Sequence, residues 1–234
     1  MTVPNELAGL ALGLVVGVVM GLLGGGGSIL AFPIFLYVFH VEQRSAVAMS
    51  LAVVGMAAFV GFLGHWRQGS VNVKVGVPFG VFAMITAFLT ARISDRVPEV
   101  VQLSLFAVFA LTAAVIMLID SVRPAPPSAM VPQAEPHFTP VLALQAMGVG
   151  ALTAVIGAGG GFLIVPALVY LAKLDVKKAV GTSLLVITLN ALSGFAGYIG
   201  EVPIDWPLVG SFTGIAAVGT ILGTRLNRHV PQVR

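Results

Sequence analysis

Two stretches of this 234-residue chain carry main-chain groups that can bind a solute rather than merely pack. "GLLGGGGSILAFP" holds Gly24, Gly25, Gly26, Gly27 and Ser28, and "AVIGAGGGFLIVP" holds Gly157, Gly159, Gly160 and Gly161. Glycine inside a helix costs about 1 kcal/mol against alanine, so runs of this kind in apolar sequence predict helix breaks. A helix that restarts near Ser28 or Gly161 exposes free N–H groups and the positive end of its dipole, which together suit an anion. Glycines keep side chains out of the way and permit the positive-φ turns that aim successive amides at one point. Pro33 and Pro166 interrupt regular bonding soon afterwards. The competing explanation is close helix packing, as in GxxxG contacts, which accounts for one or two glycines better than for four in a row.

Polar side chains that could complete such a site are few. Ser50 and Ser183 occupy matching places, Thr182 stands beside one of them, and Asn190 lies seven residues beyond Ser183, two turns along the same helix face. Hydroxyl and amide donors suit an anion that has shed its water and add no charge to trap it. Serine and threonine in such helices also bond their own preceding carbonyls, which is the competing role. All nine acidic residues (Glu6, Glu42, Asp95, Glu99, Asp120, Glu135, Asp175, Glu201 and Asp205) fall at segment ends or in loops, so no buried carboxylate would repel an anion. His65 and Arg67 close one segment as an interfacial pair or an entrance. Trp66 and Trp206 fit an interfacial aromatic belt, and Arg92 and Arg225 read as matching anchors.

Catalytic chemistry finds no support. There is no HExxH zinc motif, no GxxxxGK[ST] phosphate loop, and no nucleophile with a nearby buried base, so neither catalytic residues, metal ligands nor cofactors are assigned. The chain has no cysteine, which excludes disulfides and thiol chemistry.

The elements that must position these residues are membrane helices. With 58% hydrophobic and 9% charged residues and a mean hydropathy of +1.03, the composition is that of an integral membrane protein. A pI near 9.6 would suggest nucleic acid in a soluble chain. Here the 12 Lys and Arg sit mostly between apolar stretches and read as topology signals. No Lys or Arg precedes Leu7, so residues 7 to 23 are expected to persist as mature structure rather than as a signal peptide.

Apolar segments run over 7–39, 45–66, 73–91 and 98–119, then, after a proline-rich stretch, over 140–172, 179–199 and 206–224. The expected division is a first membrane repeat at 1–119, a linker at 120–139 and a second, incomplete repeat at 140–234. The repeat rests on a constant offset of 133 residues: Gly24, Gly26, Gly27 and Pro33 match Gly157, Gly159, Gly160 and Pro166. The register continues through "RSAVAMSLAVV" and "KKAVGTSLLVI" to "ARISDRVPEV" and "TRLNRHVPQV". Interrupted hydrophobic segments at matching positions of two halves point to a binding site where the halves meet. The fold expected is an all-α polytopic membrane protein of two homologous repeats, each of about four hydrophobic segments and each opening with a glycine-broken helix.

These two signatures, each followed by "AVAMS" or "AVGTS", resemble the duplicated signature of the sulfite exporter TauE/SafE family over nearly the whole chain. The resemblance implies a multi-pass transporter of the bacterial cytoplasmic membrane that moves small anions, often sulfur-containing ones such as sulfite or organosulfonates. An anion channel, or a non-transporting membrane subunit with glycine-mediated packing, is the alternative. The resemblance implies a final span like 98–119 after "HVPQVR", and the expectation is either that the molecule lacks it or that the sequence is a truncated form.

Charge leaves the topology open. If every segment crosses once, nine basic residues (Arg44, Arg92, Arg96, Lys173, Lys177, Lys178, Arg225, Arg228 and Arg234) face three (Arg67, Lys74 and Arg123). If the glycine runs are hairpin tips, the repeats are inverted and the division becomes three against nine. The short arms on either side of each run favour the hairpin. Either way the two breaks are expected to face each other near the bilayer midplane, and leucine at Gly26 or Gly160 is expected to stop transport without unfolding the protein.

Overall fold

The structure, a computed structural model, describes residues 3–122, 139–157 and 159–227. The expected linker lies outside these apart from 120–122 and residue 139, and so does the end of the second repeat from 228 onward. Among the described residues the chain is helical, with no strand. The helices are α1 (Val3–Leu23), α2 (Ser28–Pro33), α3 (Gln43–Arg67), α4 (Val73–Ile93), α5 (Glu99–Val122), α6 (Pro140–Ile156), α7 (Gly161–Tyr170), α8 (Val176–Tyr198) and α9 (Trp206–Asn227). Four of them, α3, α4, α8 and α9, are long and apolar enough to cross a membrane.

Local chemistry sets the helix starts. The Asn72 side chain accepts from the Val75 N–H at 3.2 Å, and Asp205 does the same for Leu208 at 3.0 Å. Thr139 caps α6 ahead of Pro140, a residue suited to the first helical position. Pro33 has no N–H to give α2, and the chain continues as a wider π-helical turn over Ile34–Val38.

In the central pair, α3 and α8, 72% of the most apolar stretch of each is buried, against 33% in α4 and 39% in α9. The pair runs antiparallel, since Gly61 abuts Leu184 while Gly194 abuts Leu51. On one side α9 runs parallel to α3, with Gly61 at Thr220 and Gly64 at Thr224; on the other, α4 runs parallel to α8, with Gly76 at Thr182 and Gly80 at Leu189. Gly17 and Gly21 of α1 press their backbone onto Gly219 and Gly223 of α9, a packing use of glycine in which two helices approach closely.

The glycine runs turn the chain back. Phe39 packs against Gly9, and Gly27 against Val16 and Met20, so the arm after the first run returns alongside α1. Gly160 likewise packs against Val149 and Thr153 of α6. Positions 133 apart share local geometry. His40 and Lys173 both take a left-handed φ of 54°. The Val41 amide donates to the Phe35 carbonyl at 3.0 Å, and Leu174 to Leu168 at 3.0 Å.

This arrangement gathers Arg67, Lys74, Lys173, Lys177, Lys178 and Arg225 at one end of the bundle and Arg44, Arg92 and Arg96 at the other. Trp66 and Trp206 are half exposed or more. His65, expected at an interface, is instead fully buried at the close of α3. It holds the position matched by Tyr198, beside the Gly21 carbonyl as Tyr198 is beside that of Ala154. The first hairpin stands against α3 as the second stands against α8, and together with Gly181 of α8 it covers the ring.

Candidate glycine-lined anion site

Gly24 and Gly157 end α1 and α6 in left-handed conformations, with φ of 82° and 74°. Only glycine adopts these without steric cost, and the turn brings the chain over the central helices. Gly24 lands on Ser183 and Val180 of α8, and Gly157 on the matching Ser50 and Val47 of α3. Beyond these turns the two runs meet, and the backbone of Gly25 touches that of Gly161 so closely that a Cβ on either would enter the other. Gly159 packs against Val54 and Ser28. Gly26 differs: a Cβ there would meet only the Leu23 side chain at the end of α1, 3.7 Å away.

The breaks do not lie at one level. With Gly61 opposite Leu184 and Leu51 opposite Gly194, Ser183 comes level with about residue 62 of α3, some 12 residues or roughly 18 Å from Ser50. Each hairpin tip therefore passes the middle, and the runs overlap there, at Gly25 and Gly161. On the same scale Asn190 comes level with about residue 55, near the middle between the tips.

The polar groups around the runs are unequally satisfied. The carbonyls of Gly25, Gly27, Gly157 and Gly160 have donors. Ser28 Oγ donates to the Gly25 carbonyl at 2.7 Å, and Asn227 Nδ2 to that of Leu22 at 2.6 Å. Ser50 Oγ lies 2.8 Å from the Gly157 carbonyl and 2.8 Å from that of Val47, sharing its proton between them. The amides are another matter. Among the described residues, no backbone hydrogen bond takes its N–H from Gly25, Gly26, Gly27, Gly159 or Gly160. Two side chains add to this. Asn190 is fully buried with neither its amide nitrogen nor its oxygen bonded, and Thr153, beside Gly160, is 2% exposed with an unbonded hydroxyl. Leaving a buried polar group unmet costs about 1–3 kcal/mol, so this concentration at the centre calls for a partner.

Of the residues expected from the sequence, the structure brings the two glycine runs together at Gly25 and Gly161 and sets Ser28 against Gly159, while Ser50 and Ser183 stand apart beneath the Gly157 and Gly24 turns; Asn190 is on the α8 face that carries Ser183 and Ile187, and Ile187 touches Gly161. Ser183 Oγ donates to its own helix at Val180, 2.8 Å away. Thr182 goes elsewhere. Its hydroxyl accepts from the Asn72 N–H at 2.9 Å and its methyl meets Gly76, which makes it part of the α4–α8 contact. Thr153 was not among the sequence candidates because it matches Met20 in the other half; its signal was a hydroxyl in an apolar segment one turn before a glycine break.

Carbonyls of Gly25, Gly27, Gly157 and Gly160 that accept hydrogen bonds, beside five glycine N–H groups that give none, make a locally positive, uncharged edge with no acidic side chain among the residues that form it. Such an edge favours a small anion over a cation.

Comparison with known proteins adds a family. The family model described as "Sulfite exporter TauE/SafE" matches residues 9–234. A "Probable membrane transporter protein" of Xylella fastidiosa (strain 9a5c) is 32% identical over 238 residues, covering 97% of this chain and 88% of the relative. "Probable membrane transporter protein YdhB" of Bacillus subtilis (strain 168) is 26% identical, covering 93% and 88%. "Probable membrane transporter protein MJ0441" of Methanocaldococcus jannaschii is 26% identical, covering 80% and 70%. No solved structure matches this chain.

Proposed function

The chain belongs to the sulfite exporter TauE/SafE family of membrane transporters, and from that premise we propose that it is a secondary carrier of small, sulfur-containing anions such as sulfite or organosulfonates. The anion is held by the main-chain amides of Gly25, Gly26, Gly27, Gly159 and Gly160, with Asn190 and Thr153 as side-chain donors. The observation that carries this reading is the imbalance at the crossing of the two runs, where carbonyls are bonded and amides, Asn190 and Thr153 are not. Ser50 serves the site by holding the Gly157 turn, and Ser183, which bonds its own helix, by giving the Gly24 turn a surface to pack on.

The protein is an inverted duplication in this reading. Equivalent helices α3 and α8 running antiparallel, and hairpins that return to the end they came from, support it. The end bearing Arg67, Lys74, Lys173, Lys177, Lys178 and Arg225 then faces the cytoplasm of a bacterial inner membrane. Backbone contact between Gly25 and Gly161 favours a carrier over an open channel, because it closes the path between the two ends. The free space at Gly26 argues against packing as the only use of the runs.

The test is uptake of radiolabelled sulfite and sulfoacetate into proteoliposomes by wild type and Gly26→Leu. The substitution meets no backbone, so elution profile and melting temperature should be kept while uptake falls by about tenfold or more. Undiminished uptake overturns the glycine site. Saturation and counterflow in the wild type separate a carrier from a channel.

A further inference from the structure

His65 is a titratable side chain that the glycine site does not use. It is fully buried at the close of α3, and among the described residues neither Nδ1 nor Nε2 has a hydrogen-bond partner. The ring sits beside the Gly21 carbonyl, near the end of α1. That carbonyl is itself left over. Met20 accepts from the Gly24 N–H at 2.9 Å and Leu22 from Asn227 at 2.6 Å, but among the described residues no backbone N–H donates to Gly21. On the other side Gly181 of α8 presses its backbone against the His65 Cβ and the Ser70 carbonyl. The first unbonded amide of the glycine runs, that of Gly25, follows Gly21 by one turn, roughly 6 Å along the chain's path.

The matched seat at the other end of the bundle shows what a purely structural ring does there. At the 133-residue offset Tyr198 stands for His65, Ala154 for Gly21 and Arg44 for Lys177. The Tyr198 hydroxyl donates to the Ala154 carbonyl at 2.8 Å and so ties α8 to the second hairpin. His65 has the same seat without that bond, and an imidazole, unlike a phenol, gains and loses a proton near neutral pH. The charged groups around it come from every neighbouring element. Lys177 of α8 faces the ring. Arg67 follows it in α3, Lys74 lies at the start of α4, Lys173 follows α7, Arg225 closes α9, and Lys178 pairs with Asp175 at 3.5 Å. After Glu6, α1 brings no titratable side chain.

We propose that His65, seated unbonded between the end of α1 and Gly181, is the proton-binding residue of the carrier, taking up one proton with each anion and releasing it with the anion on the other side. The proton goes onto the free ring nitrogen. The imidazolium then has one N–H for the Gly21 carbonyl and a second to give. An anion at the Gly25 edge stabilises the imidazolium, and the imidazolium raises the anion's affinity by the same factor, so the two travel together as a symport. Because the first hairpin and α8 close the ring off, the proton exchanges with water when that hairpin shifts, which ties its release to the step that changes sides. The proposal rests on the carrier reading above, and its test separates the two.

The experiment is uptake of radiolabelled sulfoacetate, whose acid groups stay ionised near neutral pH, into proteoliposomes of the full chain clamped at zero membrane potential. Initial rates are taken with and without a gradient of about one pH unit, acidic outside, and the readout is their ratio within each protein, which a general loss of rate does not move. The expected ratio is about threefold or more for the wild type and about one for His65→Gln and His65→Tyr, which keep a donor for Gly21 but take up no proton. Tyr198→Phe should keep the wild-type ratio. Where a His65 variant carries nothing, calorimetric binding of sulfoacetate in two buffers of different ionisation heat decides: the wild type takes up protons on binding and the variant takes up none. Sulfoacetate counterflow by a wild type whose rate ignores the gradient overturns the proposal and leaves the carrier reading standing. A wild-type ratio or proton uptake kept by the His65 variants overturns it as well. Absence of both counterflow and binding of sulfoacetate in the wild type overturns the carrier reading for this anion, and the proposal with it.

Discussion

The two glycine runs turn alike and bind differently. Gly24 and Gly157 share a left-handed turn, each set on a serine of the opposite repeat's central helix. Past that point the first run continues with Gly27 at φ −70°, while the second takes left-handed angles at Gly159 and Gly160, 63° and 66°. Ser50 reaches across to the Gly157 carbonyl, whereas the recorded bond of Ser183 stays within its own helix. Asn190 has Ala57 as its counterpart, and Thr153 has Met20. The frame is therefore near-symmetric across the 133-residue offset, and the polar groups without a counterpart, Asn190 and Thr153, both belong to the second half of the chain. A small anion in such a frame would have one preferred seat rather than two equal ones.

Substitutions can break that comparison in order of size. The largest effect is expected at the point of contact. Gly25→Ala drives a Cβ into the Gly161 backbone, which cannot rotate away, and should cost about 1–3 kcal/mol or prevent folding; fluorescence-detected size exclusion and melting temperature read this. Gly160→Leu falls in the same class, since its φ is 66° and a Cβ would lie 2.5 Å from Thr153 Oγ1. That corrects the expectation that leucine is tolerated equally at Gly26 and Gly160. Next comes Ser50→Ala, which frees the Gly157 carbonyl and should lower stability by about 1 kcal/mol in a thermal melt. Ser183→Ala should cost less, because an i−3 bond within a helix adds little to a carbonyl the helix already occupies. Gly26→Ala closes the series with a change within about 0.5 kcal/mol. Equal costs at Ser50 and Ser183 would erase the asymmetry.

Much of this was legible in the residues. The offset of 133 placed the breaks, and helix bounds follow the apolar segments, because a membrane helix declares itself by length and hydropathy. The direction of the chain after each break was not legible, since crossing and returning divide the basic residues in the same proportion. A single tertiary contact, Phe39 on Gly9, shows the return. Thr182, singled out beside Ser183, meets α4 at Asn72 and Gly76, since one residue along a helix turns the side chain by about 100°. Asn190 was placed by its two-turn spacing, but its lack of a partner depends on what every other helix brings to the centre, and no local pattern carries that.

Asn190 offers the most direct measurement. A buried amide without partners is a liability to folding unless something binds it, so Asn190→Leu should keep or raise the melting temperature. The measurement is calorimetric binding of sulfite, sulfate, thiosulfate and sulfoacetate to purified wild type and Asn190→Leu in detergent. The account predicts saturable binding of at least one of these by the wild type and a loss of about tenfold or more in the folded variant. Equal affinity in the two proteins would contradict it.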